Sequence, residues 1–372
     1  MSNNQTPKPL IILTAGGTGG HVFPAESLAE ELSNRGYELA LVTDSRGKDN
    51  YHGKLGEITN YSVLAGALVG KSKLFKIKSL FKTAIGVLQA VFILLKRKPV
   101  CVVGFGGYAS FPCCMAAILL GIDLVIHEQN SVMSRTNRFL SKYASFIGTS
   151  FAKTKYTPTE TKKILTGMPI RQNIASLQSR QYETRNENKK FQLLIIGGSQ
   201  GARIFGEVIP PAIKNLPEQL QKQMRIYHQC RKEDIDAINK AYQGNHAEIT
   251  VSHFFENIAD LYAQGSLIIS RAGASSIAEI TAAKLPSVLV PLPTAADDHQ
   301  TTNAEAIELN RAGHVFKQKD FSSKALTSIL ENLINDQQKL SMMSERAAKI
   351  SIVDASKRLA DAIEKEIIFA EK

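Results

Sequence analysis

The stretch LIILTAGGTGGHVFP, Leu10–Pro24, decides the fold, and FQLLIIGGSQGAR, Phe191–Arg203, repeats its pattern in the second half of the chain. Each stretch begins with a run of apolar residues typical of a strand buried on both faces, passes through a glycine-rich turn and enters a helix. Such a turn presents backbone N–H groups at the positive end of the helix dipole, which is where phosphate groups bind. The sequence therefore predicts two domains that each open with a strand and an anion-binding turn.

Further apolar runs, separated by helical segments, follow both turns. This alternation is typical of parallel strands joined by helices. A helix is predicted over Pro24–Arg35, with Gly36 at its C-terminal end. The strand candidates are Leu10–Thr14, Glu38–Thr43, Val100–Gly104, Leu124–His127 and Phe146–Thr149 in the first half, and Gln192–Ile196, Arg225–His228, Glu248–Ser252, Leu267–Ser270 and Ser287–Val290 in the second.

The length of 372 residues favours two domains of ordinary size. We predict an α/β protein with two Rossmann-like, doubly wound domains that face an interdomain cleft, where the ligand would bind. The polar stretch Gln178–Lys190 is predicted to be an exposed loop, and Gly167–Met168–Pro169, just upstream, to be the hinge. The predicted domains are 1–167 and 168–352, with a final helix, 353–372, whose apolar face could pack on either of them.

Charge and cysteine usage narrow the class of protein. The net charge is +11, and residues 1–170 carry 20 basic and 10 acidic side chains, so the first half is predicted to meet an anionic partner. The four cysteines include no C-x-x-C pair, which favours buried thiols in a reducing compartment. The polar N-terminus is not that of a signal peptide, and the runs Ile85–Leu95 and Phe111–Ile122 fall short of the roughly 20 residues that span a bilayer. A cytosolic or peripheral protein is therefore expected.

Residues 71–98 combine basic side chains with an apolar stripe at helical spacing and contain no acidic residue. One interpretation is a core helix of the first domain with solvated lysines; the other is an apolar patch ringed by lysines that binds anionic lipid. Nucleic acid is not predicted as the partner, because the segment lacks interleaved aromatic and basic residues. The basic residues are Lys71, Lys73, Lys76, Lys78, Lys82, Lys96, Arg97 and Lys98, and the stripe is Leu74, Ile77, Phe81, Ala84, Leu88, Val91 and Leu95.

The first glycine-rich turn consists of Gly16, Gly17, Thr18, Gly19 and Gly20. It is not a Walker A loop, because no Gly-Lys-Ser/Thr follows, and the residue in the third glycine position of a dinucleotide-binding motif is a valine. Neither ATP hydrolysis nor NAD binding is therefore predicted, and the turn either binds another phosphate or only joins strand to helix. His21 follows at once and is either a general base or a residue that caps the turn and positions substrate.

Two more motifs of the first half follow predicted strands. Gly104, Gly106, Gly107 and Tyr108 belong to the sequence GFGGY, a second glycine-rich turn. The sequence HEQN, 127–130, places amide and charged groups at the end of another strand, where Glu128 is either a catalytic carboxylate or one that pairs with a helix end.

The second half carries three motifs of the same kind. Gly197–Arg203 is a phosphate-type turn in which Ser199 adds a hydroxyl, and SRAGASSIAE, Ser270–Glu279, opens a helix after a strand. Glu279 could accept both hydroxyls of a ribose, although a single glutamate on a helix is commonly a surface residue. In DDHQTTN, 297–303, the two aspartates offer fewer oxygen ligands than a hard-metal site needs, so no metal is predicted.

Taken together and in order, the motifs resemble the MurG family of bacterial glycosyltransferases over nearly the whole chain. The resemblance implies a GT-B fold and inverting transfer of GlcNAc from UDP-GlcNAc to the C4 hydroxyl of MurNAc in lipid I, forming lipid II in β-1,4 linkage without a cofactor. It also implies that the first domain receives lipid I and that the second holds UDP-GlcNAc. The last helix would return to the first domain. The enzyme would be a peripheral protein on the cytoplasmic face of the bacterial plasma membrane. The motifs are GGTGGHVFP, GFGGY, HEQN, GMPIR, GGSQGAR, SRAGASSIAE and DDHQTTNA.

The same resemblance implies roles for individual residues, with His21 as the first choice for the base and Glu128 as the second. The donor would contact Thr18, Gly19, Gly20, Asn130, Arg171, Ser199, Phe255, Ala274, Ser275, Ser276, Ile277, Ala278, Glu279 and Gln300. The acceptor diphosphate would contact Gly16, Gly17, Gly104, Gly106, Gly107 and Tyr108. The chain departs from the family pattern at Met168, where Asn is usual, at Ser275–Ser276, and at Phe255, where an aliphatic residue is common beside the uracil.

Three other functions are compatible with parts of the sequence. Another GT-B transferase could use the same donor with a different lipid acceptor. An NAD-dependent oxidoreductase would need the third glycine, which Val22 replaces. A membrane-binding scaffold would explain residues 71–98 but not the nucleotide-type turns of the second half.

Overall fold

The computed structural model describes residues 9–16, 19–44, 51, 53–66, 73–183, 189–198 and 201–370. Its contacts divide the chain into two compact units. Unit 1 comprises Met1–Arg171 together with Asp354–Lys372, and unit 2 comprises Gln172–Val353. Each unit contains one fully parallel sheet, so the predicted α/β class with two doubly wound sheets is confirmed.

The sheet of unit 1 has seven strands in the order β3-β2-β1-β4-β5-β6-β7. The strands are β1 (Leu10–Thr14), β2 (Glu38–Thr43), β3 (Thr59–Ser62), β4 (Cys101–Gly104), β5 (Asp123–Glu128), β6 (Phe146–Thr149) and β7 (Lys163–Leu165). Thr14 at the end of β1 pairs with Gly104 at the end of β4, and Gly104 pairs with Ile126 of β5. This register brings the two glycine-rich turns and the HEQN segment together at one edge of the sheet.

The helices of the first 171 residues are α1 (Gly19–Asn34), α2 (Gly53–Glu57), α3 (Lys73–Arg97), α4 (Phe111–Leu120) and α5 (Arg135–Leu140). The predicted start of α1 at Pro24 is wrong, since the helix already begins within the glycine-rich turn. Pro24 therefore lies inside the helix, where it lacks the N–H that would bond to the carbonyl oxygen of Gly20. The predicted end is confirmed: Gly36 has a φ of 83°, and the amide of Tyr37 donates to the carbonyl oxygen of Leu32.

Helix α3 packs mainly through small residues, together with Leu94, and exposes most of its large apolar ones. Ser79, Thr83, Gly86, Ala90 and Leu94 line its buried side. The segment 63–66 lies across this side, where a Cβ at Gly86 would come within 1.7 Å of the Leu64 carbonyl oxygen. Of the two interpretations of residues 71–98, the structure contradicts a helix whose apolar stripe is buried in the core. The exposed apolar side chains are Ile77, Leu80, Phe81, Ile85, Leu88, Phe92 and Leu95.

Among the described residues, one helix has the length and composition of a membrane span. Within this segment of α3, Phe75–Arg97, a window of 18 residues has a mean hydropathy of 1.6, and 28% of that window is buried. The sequence-based expectation rested on the run Ile85–Leu95, which Gln89 interrupts, whereas the helix extends over 25 residues.

The sheet of unit 2 has six strands in the order β10-β9-β8-β11-β12-β13. They are β8 (Phe191–Ile196), β9 (Met224–Gln229), β10 (Glu248–Ser252), β11 (Leu267–Ser270), β12 (Ser287–Leu289) and β13 (Gly313–Val315). The helices are α6 (Gln172–Ala175), α7 (Arg203–Lys214), α8 (Glu218–Lys222), α9 (Ile235–Ala241), α10 (Ile258–Gln264), α11 (Ala274–Ala282), α12 (His299–Leu309), α13 (Ser323–Asn335) and α14 (Gln337–Ile350). The loop predicted over Gln178–Lys190 is anchored in its described part by Tyr182, whose hydroxyl donates to the carbonyl oxygen of Ser266 at 2.7 Å.

All ten predicted strands are present, and the described part of the chain contains three further strands that were not predicted, β3, β7 and β13. Each of the three is three or four residues long and lies at an edge of its sheet. An edge strand is buried on fewer sides, so its sequence need not contain the continuous apolar run that marks a central parallel strand.

The C-terminal helix α15, Ala355–Ile363, packs on unit 1 and continues as a π-helical turn over Glu364–Ile368. Leu359 and Ile363 are buried in the same apolar cluster as Leu28 and Leu32 of α1. Beside this cluster, the Arg35 guanidinium lies 2.7 Å from Asp361 and 2.6 Å from Glu364. Tyr37 completes the network by donating to Glu364 at 2.9 Å.

Candidate functional site

The two glycine-rich turns of unit 1 lie in contact. A Cβ at Gly107 would be 3.6 Å from the Cα of Gly16, and Gly106 and Gly107 have φ angles of 84° and 78°, a conformation that favours glycine. Tyr108 follows and donates its hydroxyl to Asp44 at 3.4 Å. Gly104, Gly19 and Gly20 are also at this edge, whereas Gly17 and Thr18 lie outside the described residues.

His21, in the first turn of α1, is half-buried against the second glycine-rich turn. Its Cδ2 and Nε2 atoms would lie 3.4 and 3.5 Å from a Cβ at Gly107, and its Nδ1 is 3.2 Å from Oε1 of Gln129. Burial lowers the pKa of His21 below its usual value, and this effect is opposed by the Gln129 amide and the Phe105 carbonyl. The ring is therefore neutral at pH 7 and chemically suited to accept a proton.

Glu128, the second choice for the base, is completely buried at the end of β5. Its Oε1 accepts the backbone N–H of Asn130 at 2.9 Å, while its Oε2 accepts the N–H of Ser134 at 3.0 Å and the side-chain amide of Asn137 at 2.8 Å. Burial raises the pKa of Glu128, and these donors oppose the change. The carboxylate thus holds the loop that leads into α5, and this geometry favours His21 as the base.

Arg171 is the last residue of unit 1, and its guanidinium carbon lies 5.3 Å from the ring centre of Phe23 on α1. Met168, which stands where the family has Asn, is buried, and its sulfur accepts the Ser150 hydroxyl at 3.6 Å. The side chain therefore fills core space beside β6 instead of offering an amide.

In unit 2, the turn after β8 and the start of α11 lie at the carboxyl ends of the neighbouring strands β8 and β11. Gly198 and Gly201 have φ angles of 81° and 65°, and Ser199 lies outside the described residues. Gly273 caps α11 without a side chain, so the backbone N–H groups of the first turn, Ala274 to Ser276, have no side-chain cap. This arrangement is suited to an anion.

Glu279 lies in the second turn of α11 and is half-buried, with the Tyr262 hydroxyl 3.4 Å from its Oε2. Ile277 is buried in the core, so this residue can offer a ligand its backbone but not its side chain. Ala278 is half-buried on the same turn.

Gln300 and Phe255 follow β12 and β10, respectively. Gln300, in the first turn of α12, accepts the backbone N–H of Leu292 at 3.0 Å, and Phe255 makes an edge-on contact with Tyr227 at 5.8 Å. Asp297 and Asp298 are exposed and left-handed, with φ angles of 51° and 52°. Among the described residues, no three His, Cys, Asp or Glu side chains form a group that could hold a metal ion.

Two residues of the candidate site had no predicted role: Gln129, which lies within HEQN, and Asn137. Gln129 bonds to His21, and Asn137 bonds to Glu128. The sequence indicates only that an amide side chain, Gln129, follows the end of a strand. It does not indicate the partner of that amide, because His21 is 108 residues away in the chain.

Two parallel-sheet units, each with glycine-rich turns at the carboxyl edge of its sheet, define the architecture of a GT-B glycosyltransferase. The models of the glycosyltransferase family 28 N-terminal and C-terminal domains match residues 11–149 and 192–359. The chain therefore belongs to glycosyltransferase family 28.

Its relatives include proteins named "UDP-N-acetylglucosamine--N-acetylmuramyl-(pentapeptide) pyrophosphoryl-undecaprenol N-acetylglucosamine transferase". The one from Paramagnetospirillum magneticum is 43% identical over 96% of this chain and 97% of its own length. The one from Rhodospirillum centenum is 41% identical over 95% of this chain and 93% of its own length.

Solved structures agree on the fold. The crystal structure of Acinetobacter baumannii MurG matches with a TM-score of 0.77 and 32% identity, covering 96% of this chain and 99% of that one. A Listeria monocytogenes protein described as a putative UDP-N-acetylglucosamine 2-epimerase matches with a TM-score of 0.67 and 13% identity, covering 96% of each chain. At that identity the likeness concerns the fold alone.

Proposed function

We propose that this chain transfers GlcNAc from UDP-GlcNAc to the C4 hydroxyl of MurNAc in lipid I, which is undecaprenyl-pyrophosphoryl-MurNAc-pentapeptide. The product is lipid II, and the anomeric carbon is inverted to give a β-1,4 linkage. The observation that carries this proposal is the neutral His21 ring, which lies against the glycine-rich turns of unit 1. The chain is also 43% identical to a transferase named for this reaction.

The acceptor diphosphate binds at the glycine-rich turns of unit 1 in this proposal. Gly16, Gly104, Gly106 and Gly107 lie at one edge of the sheet, where backbone N–H groups can approach phosphate oxygens without side chains in the way. Tyr108 borders the same turn.

The donor diphosphate binds at the turn after β8 and the start of α11, where uncapped backbone N–H groups meet negative charge. Glu279 accepts the ribose hydroxyls, Phe255 packs beside the uracil and Gln300 contacts the sugar. As UDP leaves, the negative charge that develops on its phosphate is stabilised by this helix N-terminus. Asn130, Gly19 and Gly20 of unit 1 are assigned to the donor by family resemblance.

In the reaction, the acceptor hydroxyl attacks the anomeric carbon from the face opposite UDP. His21 takes the hydroxyl proton, the new carbon–oxygen bond forms, and the bond to the β-phosphate oxygen breaks with its electron pair leaving on UDP. Inversion requires a single base, and His21 has a ring nitrogen facing the glycine-rich turn, whereas both oxygens of Glu128 are occupied.

The lipid acceptor is reached at a membrane surface in this proposal. The exposed apolar side of α3 has Phe81 and Phe92 67% and 73% exposed, and the exposed lysines Lys76, Lys78 and Lys82 lie near its start. An apolar face with basic residues binds anionic lipid headgroups, and each basic residue near the surface adds roughly 1 kcal/mol. We place the chain on the cytoplasmic face of the bacterial plasma membrane as a peripheral protein.

The test is transfer of labelled GlcNAc from UDP-GlcNAc to a lipid I analogue, with and without EDTA, for the wild type and His21→Ala. We expect transfer that survives EDTA, a β-1,4 product, and a kcat at least roughly 100-fold lower in the variant with little change in UDP affinity. An unchanged kcat would remove His21 as the base, and UDP binding without transfer would mean that the acceptor is another lipid.

A further inference from the structure

We propose that Gln129 is a positioning residue that fixes the tautomer of His21, through a chain of hydrogen bonds that begins at the carbonyl oxygen of Gly167. The effect on transfer rests on the proposed function, in which His21 is the base. The tautomer itself follows from the contacts of three side chains and two carbonyl groups.

The chain of bonds starts at His127, which is completely buried at the end of β5. Its Nε2 lies 3.0 Å from the carbonyl oxygen of Gly167, which can only accept, so Nε2 carries a hydrogen. Burial lowers the pKa of His127 to about 4, so the ring is neutral at pH 7. The Nδ1 atom of His127 is therefore an acceptor.

The orientation of the Gln129 amide is set by two acceptors. Its Nε2 lies 3.0 Å from the carbonyl oxygen of His127 and 3.1 Å from the Nδ1 of that ring. An amide turned the other way would place its oxygen against both a carbonyl oxygen and a nitrogen lone pair. Both hydrogens of the amide nitrogen are thus used, and Oε1 points the opposite way.

The Oε1 atom of Gln129 lies 3.2 Å from Nδ1 of His21. Because the amide oxygen can only accept, Nδ1 of His21 carries the hydrogen, and Nε2 of the neutral ring keeps its lone pair. Nε2 is on the ring edge that faces Gly107, beside the proposed acceptor site.

This arrangement suits a base that works near neutral pH. When Nε2 takes the acceptor proton, the resulting imidazolium still donates Nδ1–H to Gln129, and the Phe105 carbonyl also stabilises it. An uncharged amide orients the ring without the large rise in pKa that a carboxylate partner would cause. His127 interacts electrostatically with His21, and Glu128, next in the chain, directs its carboxylate to Asn130, Ser134 and Asn137.

The direct test is NMR of protein labelled with ¹⁵N at histidine, without substrates, and with the His21 signals assigned from His21→Asn. We expect wild-type His21 to be protonated at Nδ1, and Gln129→Leu to show both tautomers. Gln129→Glu should keep Nδ1 protonated and raise the pKa of His21, because a negative charge beside the ring favours the imidazolium. Protonation of wild-type His21 at Nε2, or an unchanged tautomer in Gln129→Leu, would overturn the proposal.

Kinetics give a second readout that loss of structure would not mimic. Gln129→Leu should lower kcat about 10-fold or more with the KM for UDP-GlcNAc unchanged, whereas Gln129→Glu should recover part of kcat and shift the acid limb of its pH profile to higher pH. A matched control is Gln221→Leu in unit 2, which removes a buried amide that donates to the carbonyl oxygens of Lys214 and Leu216.

The control separates the possible results. Gln221→Leu should reduce stability while leaving the His21 tautomer and the pH profile as in the wild type. If the wild type makes no product with the lipid I analogue, the proposed function fails, but the NMR result still decides the role of Gln129. If Gln129→Leu lowers kcat while its pH profile and tautomer match the wild type, the residue is only structural and the proposal is wrong.

Discussion

His21 and Glu128 lie at the same edge of one sheet but differ in how their polar atoms are used. The donors that bond to Glu128 belong to the loop after β5 and to α5, whereas His21 bonds to Gln129 through Nδ1, lies near the Phe105 carbonyl and has Nε2 beside a glycine turn. A titratable residue in a candidate site is thus better judged by its remaining hydrogen-bonding capacity than by its presence in a motif.

Glu279 gives a prediction about the donor. Glu279→Ala should raise the Kd for UDP about 10- to 100-fold, because hydrogen bonds from ribose hydroxyls to a carboxylate contribute roughly 1.5–3 kcal/mol. Calorimetric titration with UDP measures this directly. The matched control is Glu331→Ala, an exposed carboxylate on α13, which should bind UDP like the wild type. Equal affinity in both variants would show that Glu279 does not contact the ribose.

At the level of single residues, the sequence predicted which segments form the candidate site but not which of their atoms bond to one another. HEQN was identified because polar residues at the end of a buried strand have few structural uses. The bond between Gln129 and His21 joins two separate motifs, and it depends on the register of β1, β4 and β5, which no local pattern encodes.

Among the secondary-structure elements, α3 is the one for which the sequence left two interpretations open. Helical periodicity locates an apolar stripe but does not say whether that stripe meets protein or solvent. Here the segment 63–66 crosses the helix over Gly86, and the Leu64 amide donates to Gln89 at 2.8 Å. Because this crossing is close, the side of the helix that faces the protein must carry small residues. The large apolar residues are left outside.

The exposed side of α3 gives a prediction about lipid binding. Phe81→Ser combined with Phe92→Ser should weaken binding to vesicles that contain anionic lipid at least about 10-fold, because each buried phenylalanine contributes roughly 1.5–3 kcal/mol. Cosedimentation with vesicles measures the partition. The control is Leu309→Ser, which removes an apolar side chain that is 80% exposed in unit 2. Vesicle binding that survives the double substitution would exclude this face as the membrane contact.

The strands were the most predictable elements, and the reason is physical. A central parallel strand is covered on both faces and is therefore mostly apolar, as in β1 and β8, where every residue is buried and only Thr14 and Gln192 are polar. The edge strands β3, β7 and β13 have no such requirement, so their sequences resemble those of loops.

For the molecule as a whole, stability should fall in mild acid. Burial lowers the pKa values of His127 and His228 to about 4, below the ordinary value of 6.5. The unfolded chain therefore binds these protons first, and stability is lost as the pH falls from about 6.5 towards 4. Urea unfolding of the wild type and His228→Gln, compared at about pH 7.5 and pH 5, should show a smaller loss in the variant by roughly 1–2 kcal/mol. Equal losses would mean that His228 is protonated in the folded protein.

The return of α15 to unit 1 has a consequence for biosynthesis. During translation, unit 2 emerges from the ribosome as one continuous segment, 172–353, whereas the apolar cluster beneath α1 lacks Leu359 and Ile363 until the last helix has been made. The nascent first unit therefore exposes apolar surface for the time needed to synthesise the whole second unit, a state that chaperones bind. Arg35 and Tyr37 are synthesised early, and they cannot bond to Glu364 until that residue has been made.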